Sequence, residues 1–360
     1  MSEISQRPKH GGNLNWAAAI ADCSTDMILD FSASINPLGP PQSAIAAIQD
    51  SLTSLSSYPD PQYHQLRSIL AQWHDLPKDW FLPGNGSAEL LTWACWELAH
   101  QEKVVLLTPA FSDYQRGLQA FSANVEQHSL MERGEFSFSL FPLSTSSRGK
   151  RGLLLNNPHN PTGKLWSIDE ILPLLDCFEV VVIDEAFMDF LLPSQQQSLL
   201  GYIQDFPHLI ILRSLTKFYS LPGLRLGYAI AHPDRLQRWQ KMRDPWCVNV
   251  LAAAAGEAVL GDRAFQRQTW DWLTPARDFL YRSLKALPGL DPVMGAANFL
   301  LVKSQYSCSQ LQLQLLKHDK ILIRDCLSFP ELGDRYFRIA VRSAPENQRL
   351  VQALSLVIKT

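Results

Sequence analysis

Between residues 104 and 230 short unbroken apolar runs alternate with amphipathic segments. Val104–Leu107, Gly152–Leu155, Val180–Ile183, Leu209–Leu212 and Arg225–Ile230 have the length and composition of strands covered on both faces. Ser87–His100, Ser112–Ala123, Ile168–Cys177 and Val248–Leu260 carry helical periodicity. Ser87 looks like a helix opening, a small polar residue with Glu89 in the first turn. Strands interleaved with helices predict an α/β domain with a largely parallel sheet. After about residue 260 the pattern changes. A helical stretch from Ala264 to Leu287, with a break expected at Pro275, leads to short strands at Asn298–Lys303, Ile321–Arg324 and Tyr336–Val341. Helices at Ser309–Lys317 and Pro345–Ile358 separate them, which predicts a smaller α+β domain. The expected division is an N-terminal segment, 1–50, packing with the small domain, a large domain over 51–262 and the small domain over 263–360.

Composition narrows the function classes. With 46% hydrophobic and 19% charged residues the 360-residue chain reads as globular, long enough for two domains. A net charge of −3 without a Lys/Arg-rich run gives no footprint for nucleic acid. No apolar stretch approaches the roughly 20 residues of a membrane span, and no apolar core follows the basic residues of Met1–Asn13. A cytoplasmic protein is expected. The six cysteines are scattered without a C-x-x-C pair, so neither a metal site nor a disulfide framework is expected.

Four segments carry candidate chemistry. In Pro83-Gly84-Asn85-Gly86-Ser87-Ala88-Glu89 a small-residue turn enters a helix, as a phosphate cradle would; alone it is more often an ordinary glycine turn capping a helix. Asn157-Pro158-His159-Asn160-Pro161-Thr162-Gly163 follows a strand as a stiff loop at the edge where doubly wound sheets bind ligands, and presents Asn157 and Asn160 there. Val180–Ile183 ends in Asp184 and Glu185. A carboxylate there needs either local backbone donors or a cationic partner such as a protonated ring nitrogen. In Ser214-Leu215-Thr216-Lys217-Phe218-Tyr219, a lysine follows a buried strand among apolar and aromatic neighbours, an environment that makes an amine nucleophile, and Arg225, eight residues on, suits a phosphate; alone the segment also fits a snorkelling lysine and a surface-paired arginine.

In this order the four segments resemble the fold-type-I pyridoxal 5'-phosphate (PLP) enzymes of the aspartate-aminotransferase fold over nearly the whole chain. The resemblance implies a large, mostly parallel α/β/α domain with a smaller α+β domain. Lys217 would be the catalytic residue that holds PLP as a Schiff base. Asp184 would pair with the pyridine nitrogen and Asn160 with the phenolate oxygen. Gly86, Ser87, Ala88, Ser214 and Arg225 would hold the cofactor phosphate, Phe111 would stack on the ring, and Tyr58 would reach the phosphate of a neighbouring subunit in a homodimer. Phe187 departs from the tyrosine common in related aminotransferases and leaves Asn160 as the main partner of the phenolate oxygen.

Outside these motifs, His10-Gly11-Gly12-Asn13, Leu29–Gly39, Glu185–Phe190, Arg243–Asn249 and Ile321–Cys326 are similar to the L-threonine-O-3-phosphate decarboxylases of cobalamin biosynthesis. That family implies conversion of the phosphorylated amino acid to (R)-1-amino-2-propanol O-2-phosphate and carbon dioxide. It implies Arg338 as carboxylate ligand and Arg324 as phosphate ligand, helped by His10 and the Gly11-Gly12 backbone, with Ser34 (commonly Asn) and Asn160 as further substrate contacts. Arg342, on the side of Arg338, stands behind these two. Against His10 stands the general disorder of chain ends. The cofactor motifs are shared with histidinol-phosphate aminotransferases, which remain the alternative. A non-catalytic PLP-binding regulator is a further one, although residues 1–50 carry no helix-turn-helix pattern and no basic face.

Overall fold

The computed structural model describes residues 7–140, 143 and 150–359, so Met1–Gln6 of the N-terminal segment lie outside the described residues. Its contacts divide the chain into two units. The larger holds Leu38–His159 and Leu165–Trp270; the smaller holds Met1–Pro37, Asn160–Lys164 and Asp271–Thr360.

The larger unit is built on seven strands: β1 (Phe81–Asn85), β2 (Lys103–Thr108), β3 (Val125–Ser129), β4 (Arg151–Asn156), β5 (Val180–Asp184), β6 (Leu209–Ser214) and β7 (Leu226–Ala231). Their order is β1-β7-β6-β5-β4-β2-β3. Strands β6, β5, β4, β2 and β3 run parallel, and β7 lies antiparallel to both β6 and β1. The four inner parallel strands are apolar runs because helices cover them. One face packs Leu106, Leu154, Val182, Ile210 and Leu212 against Leu90, Ala94 and Leu98 of the helix Gly86–Leu98 and Tyr114 and Leu118 of Ser112–Ala120.

Several boundaries differ from expectation, each for a local reason. The helix opens at Gly86, not Ser87, and Asn85 makes no side-chain cap; its N–H donates to Glu89 Oε2 at 2.8 Å. Ile168–Cys177 is helical only to Ile171 and continues as a 3-10 turn, since Pro173 supplies no N–H. Arg225 lies outside β7, in the left-handed region at φ 58°.

In the smaller unit four antiparallel strands, β8 (Leu290–Val293), β9 (Phe299–Ser304), β10 (Arg324–Asp325) and β11 (Tyr336–Ala340), take the order β8-β9-β11-β10. The expected strand Ile321–Arg324 is two pieces: Ile321–Leu322 pairs in parallel with Leu29–Asp30, and β10 pairs with β11. Ala17, Ala18 and Ala21 of the helix Leu14–Ala21 pack on Leu316 and Leu322. Small side chains let that helix approach closely. The expected break at Pro275 does not occur. The helix Arg263–Lys285 continues through it, with Leu273, Leu280 and Leu284 all buried along it. Asn160–Lys164 joins this unit through Gly163, whose carbonyl accepts from the Ala296 N–H at 2.7 Å. Gly163 sits at φ +75°, and a Cβ on Gly295 would lie 2.7 Å from its Cα.

Candidate active site

In the larger unit the ends of β1, β7, β6 and β5 lie side by side. Asn85 pairs with Leu226, Gly227 with Ser214, and Leu212 with Asp184. Gly86, Ser87 and Ala88 begin a helix whose first N–H groups have no intrahelical acceptor, so an anion there is favoured by both hydrogen bonding and the helix dipole. Gly227 is a glycine because a Cβ there would stand 2.5 Å from the Ser87 nitrogen. Gly86 is one because it sits at φ +73°, and a Cβ there would stand 2.8 Å from Arg225 Nη2. Arg225 is exposed and its Nη1 donates to the Pro222 carbonyl at 3.3 Å. Ser214 is buried, with its hydroxyl 2.7 Å from that of Thr216. Helix start, guanidinium and hydroxyl together form a cradle with the donor set a phosphate needs.

Asp184 is held by two donors on its own unit. Tyr114 donates to Oδ2 at 2.7 Å and the Ala186 N–H to Oδ1 at 2.9 Å. Two donors hold the carboxylate in a fixed orientation with further acceptor capacity on each oxygen. Phe111, at the start of Ser112–Ala120, meets Tyr114 edge to face at 5.6 Å. Lys217 lies on the short helix Leu215–Phe218, and its Nζ is 4.9 Å from the centre of the Phe187 ring. Tyr114 was not foreseen. Its one sequence signal is a polar-tipped aromatic three positions into a helix beside the candidate sheet edge. Tyr58 is not among these residues: its ring is 78% exposed and stacks on Trp246 at 4.4 Å. Asn157 turns out to be structural. Its Nδ2 donates to the Trp166 carbonyl, and its Oδ1 accepts from the Trp166 N–H, both at 3.0 Å.

The smaller unit assembles the second set. Arg324 and Arg338 are register partners across β10 and β11. Arg338 donates to Asn160 Oδ1 at 2.5 Å and lies over the Phe299 ring at 4.9 Å; its buried Nε has no hydrogen-bond partner among the described residues. Burial first, then the charge of Arg324, pushes the Arg338 guanidinium down to about 10. Arg324 is held by the Pro8 and Lys9 carbonyls and by Ser328 Oγ at 2.6 Å, so Pro8 and Lys9 pack directly on it. Gly11 fits where a Cβ would strike the Ser32 carbonyl, and the Gly12 N–H donates to Ser32 Oγ at 2.8 Å. His10 is exposed, on an open groove of about 750 Å³ along Pro8–Asn15. Ser34 is buried, its carbonyl accepting from Asn298 Nδ2 at 3.0 Å while its hydroxyl has no partner among the described residues. Arg342 is set aside from the anion set. It lies past the end of β11, where strand alternation no longer applies, and its guanidinium is used by Glu346 at 2.7 Å and the Asp30 carbonyl at 3.0 Å.

Among the described residues no helix is long and apolar enough to cross a membrane, and no group of three or more His, Cys, Asp or Glu is placed to hold a metal.

Comparison with known proteins bears on what this arrangement does. The chain is 39% identical over 354 residues to a threonine-phosphate decarboxylase of Salmonella typhimurium, covering 97% of this chain and 96% of that one. It is 33% identical to a histidinol-phosphate aminotransferase of Symbiobacterium thermophilum, over 90% and 88% of the two chains. The crystal structure of a histidinol-phosphate aminotransferase from Clostridium acetobutylicum superposes with a TM-score of 0.85 at 28% identity, covering 92% of this chain and 99% of that one. Residues 26–354 match the family described as aminotransferase class I and II. The cradle, the oriented Asp184 and Lys217 are the groups that a PLP phosphate, ring nitrogen and aldehyde require, and the chain belongs to the PLP-dependent class I and II aminotransferase family, with its fold-type-I architecture.

Proposed function

We propose that the chain decarboxylates L-threonine O-3-phosphate to (R)-1-amino-2-propanol O-2-phosphate, as a step of cobalamin biosynthesis. The observation that carries this reading is the pair of guanidinium groups, Arg324 buried and Arg338 half-buried, on adjacent strands of the smaller unit. Burial lowers both guanidinium groups, the charge of Arg324 adds to this at Arg338, and a ligand with two anionic groups would stabilise them. A phosphorylated α-amino acid has both a phosphate and a carboxylate; histidinol phosphate has the phosphate alone. The 39% identical relative carries the same activity by name.

The residues then divide the work. Gly86, Ser87 and Ala88 N–H groups, Ser214 and Arg225 would hold the cofactor phosphate; Asp184 would keep the ring nitrogen protonated, Phe111 would cover the ring and Asn160 would meet the phenolate oxygen. Bound PLP supplies the electron sink for cleavage at the substrate α-carbon. Arg338 orients the substrate carboxylate, with Ser34 beside it, and Arg324 the phosphate, while the Gly11-Gly12 backbone and His10 close over the phosphate end. When the carboxylate leaves as carbon dioxide, Lys217 Nζ returns a proton to the α-carbon. The cation–π contact with Phe187 fixes where that amine sits. The ring of Tyr58, presented to solvent, supports a homodimer in which it serves the other subunit's phosphate.

The test is incubation of the PLP-loaded enzyme with L-threonine O-3-phosphate without any 2-oxo acid, measuring carbon dioxide and the amine product. Sustained release that Lys217→Ala abolishes is the expected result. The second reading, histidinol-phosphate aminotransferase, rests on the 33% identical relative. No carbon dioxide, with amino transfer from histidinol phosphate once 2-oxoglutarate is added, would establish it instead.

A further inference from the structure

Strands β5 and β6 of the larger unit each end on a pair of polar residues, Asp184-Glu185 and Arg213-Ser214. Val180 and Val182 share their face with Asp184, and Ile210 and Leu212 share theirs with Ser214. All four apolar residues belong to the core beneath the helices Gly86–Leu98 and Ser112–Ala120. Alternation therefore sends Glu185 and Arg213 to the reverse face. There Arg213 Nη2 lies 2.8 Å from Glu185 Oε2 and Nη1 2.5 Å from Asp189 Oδ1. The Ser198 hydroxyl donates to Glu185 Oε2 at 2.8 Å, and Trp270 Nε1 to the Asp189 carbonyl at 2.9 Å. Arg213 and Glu185 are each 1% exposed.

A buried ion pair among Val, Ile and Leu is no more stabilising than apolar side chains of the same shape, so stability is a poor reason for it. Its geometry suggests another. The guanidinium fork reaches two carboxylates from one turn: Glu185 directly after Asp184, and Asp189 two residues after Phe187. Arg213 itself directly precedes Ser214 and is four residues before Lys217. One planar group thus ties the turn that carries Asp184 and Phe187 to the strand end that carries Ser214 and Lys217. It acts from the face of the sheet opposite Asp184 and Ser214. His74 and the cation Arg263 line the same side. His74 bonds Tyr228 at 2.8 Å, and burial pushes its imidazole down to about 3. Arg263 lies over the Trp73 ring at 4.1 Å.

We infer that Arg213 is a positioning residue for the cofactor site, holding Asp184 and Phe187 at a fixed spacing from Lys217 through its two ion pairs. The inference rests on PLP as cofactor and is independent of whether the reaction is decarboxylation or amino transfer. The variants are Arg213→Lys, which keeps the charge but loses the fork, and Glu185→Gln, which keeps the shape but loses a charge; neither removes volume from the core. Three quantities are measured: thermal unfolding of the apoprotein, the PLP dissociation constant by titration, and the pH at which the absorbance of bound cofactor changes. The expected result is PLP affinity about ten- to a hundredfold weaker, the range seen when groups orienting a ligand's direct partners are removed. The pH of the absorbance change should also move, because Lys217 and Asp184 are displaced from one another. A lower melting temperature with parental PLP affinity and parental absorbance titration would overturn the inference and leave Arg213 a core residue only, as would no change in any of the three.

Discussion

Gly86→Ala separates the two demands that the cradle makes on one residue. The first is conformational: at φ +73° a side chain costs about 1–2 kcal/mol relative to glycine. In a chain of this size that lowers the apoprotein melting temperature by about 1–3 °C. The second is steric and specific. The added methyl would stand 2.8 Å from Arg225 Nη2 and 3.3 Å from its Cζ, so the guanidinium must move. Arg225 is exposed and can move cheaply in the apoprotein. The loss falls on the phosphate, where a hydrogen bond to a charged group contributes about 1.5–3 kcal/mol. At 1.4 kcal/mol per decade, PLP binding should weaken about ten- to a hundredfold. Titration of the refolded apoprotein with PLP reads this directly. A double-mutant cycle with Arg225→Ala tests the cause: if displacement of Arg225 is the mechanism, Gly86→Ala adds little affinity loss on top of Arg225→Ala. Fully additive losses, or unchanged affinity in Gly86→Ala, would refute the argument.

Three further outcomes follow from the same geometry. Tyr114→Phe leaves Asp184 with the Ala186 N–H as its remaining donor among the described residues and should cost the apoprotein about 1–2 kcal/mol in urea unfolding, a loss that shrinks when Asp184 is already Asn. Arg338→Lys should raise the KM for L-threonine O-3-phosphate by about tenfold or more with PLP content unchanged, because an ammonium cannot hold a carboxylate with a planar fork; equal KM values would remove Arg338 from the substrate site. Burial pushes the imidazoles of His74 and His159 down from 6.5 to about 3. Between those values the unfolded chain binds more protons, so their contribution is full above about pH 6.5 and falls as the pH drops, by up to about 1.4 kcal/mol per pH unit for each histidine. His74→Gln should flatten the measured stability slope between pH 6 and 4 by about one proton, and an unchanged slope would show that His74 titrates normally.

The elements legible in the sequence are those in which one physical demand dominates. Strands β4, β5 and β6 must be apolar on both faces, and their runs stand out. The edge strand β3, Val-Glu-Gln-His-Ser, is half exposed and looks like loop. Strand β1 was hidden because Pro83 and Gly84 argue against a strand. It tolerates them at the sheet edge, where a missing N–H costs nothing to a neighbour. The long helix hides its continuity in the same way. Pro275 predicts a break from local rules, while the buried leucines on either side of it favour a continuous helix.

The candidate site divides along the same line. Lys217, Asp184 and the Gly86 turn were legible because each is an anomaly where it stands: a cation, an anion or a glycine against an apolar strand. Tyr114 was not, since a tyrosine in an amphipathic helix satisfies the pattern whether or not its hydroxyl has a task. The carboxylate pair after β5 is the instructive case. Two adjacent acids at a strand end read as one feature, yet a period of two gives them opposite destinations. Asp184 meets Tyr114 on one face; Glu185 meets Arg213 on the other. The same period applied to Arg213-Ser214 would have paired Glu185 with Arg213 from the sequence alone, because parallel neighbours in register place like-facing residues side by side. What alternation leaves open is Asp189, which reaches Arg213 from the turn after Phe187, where no strand period holds.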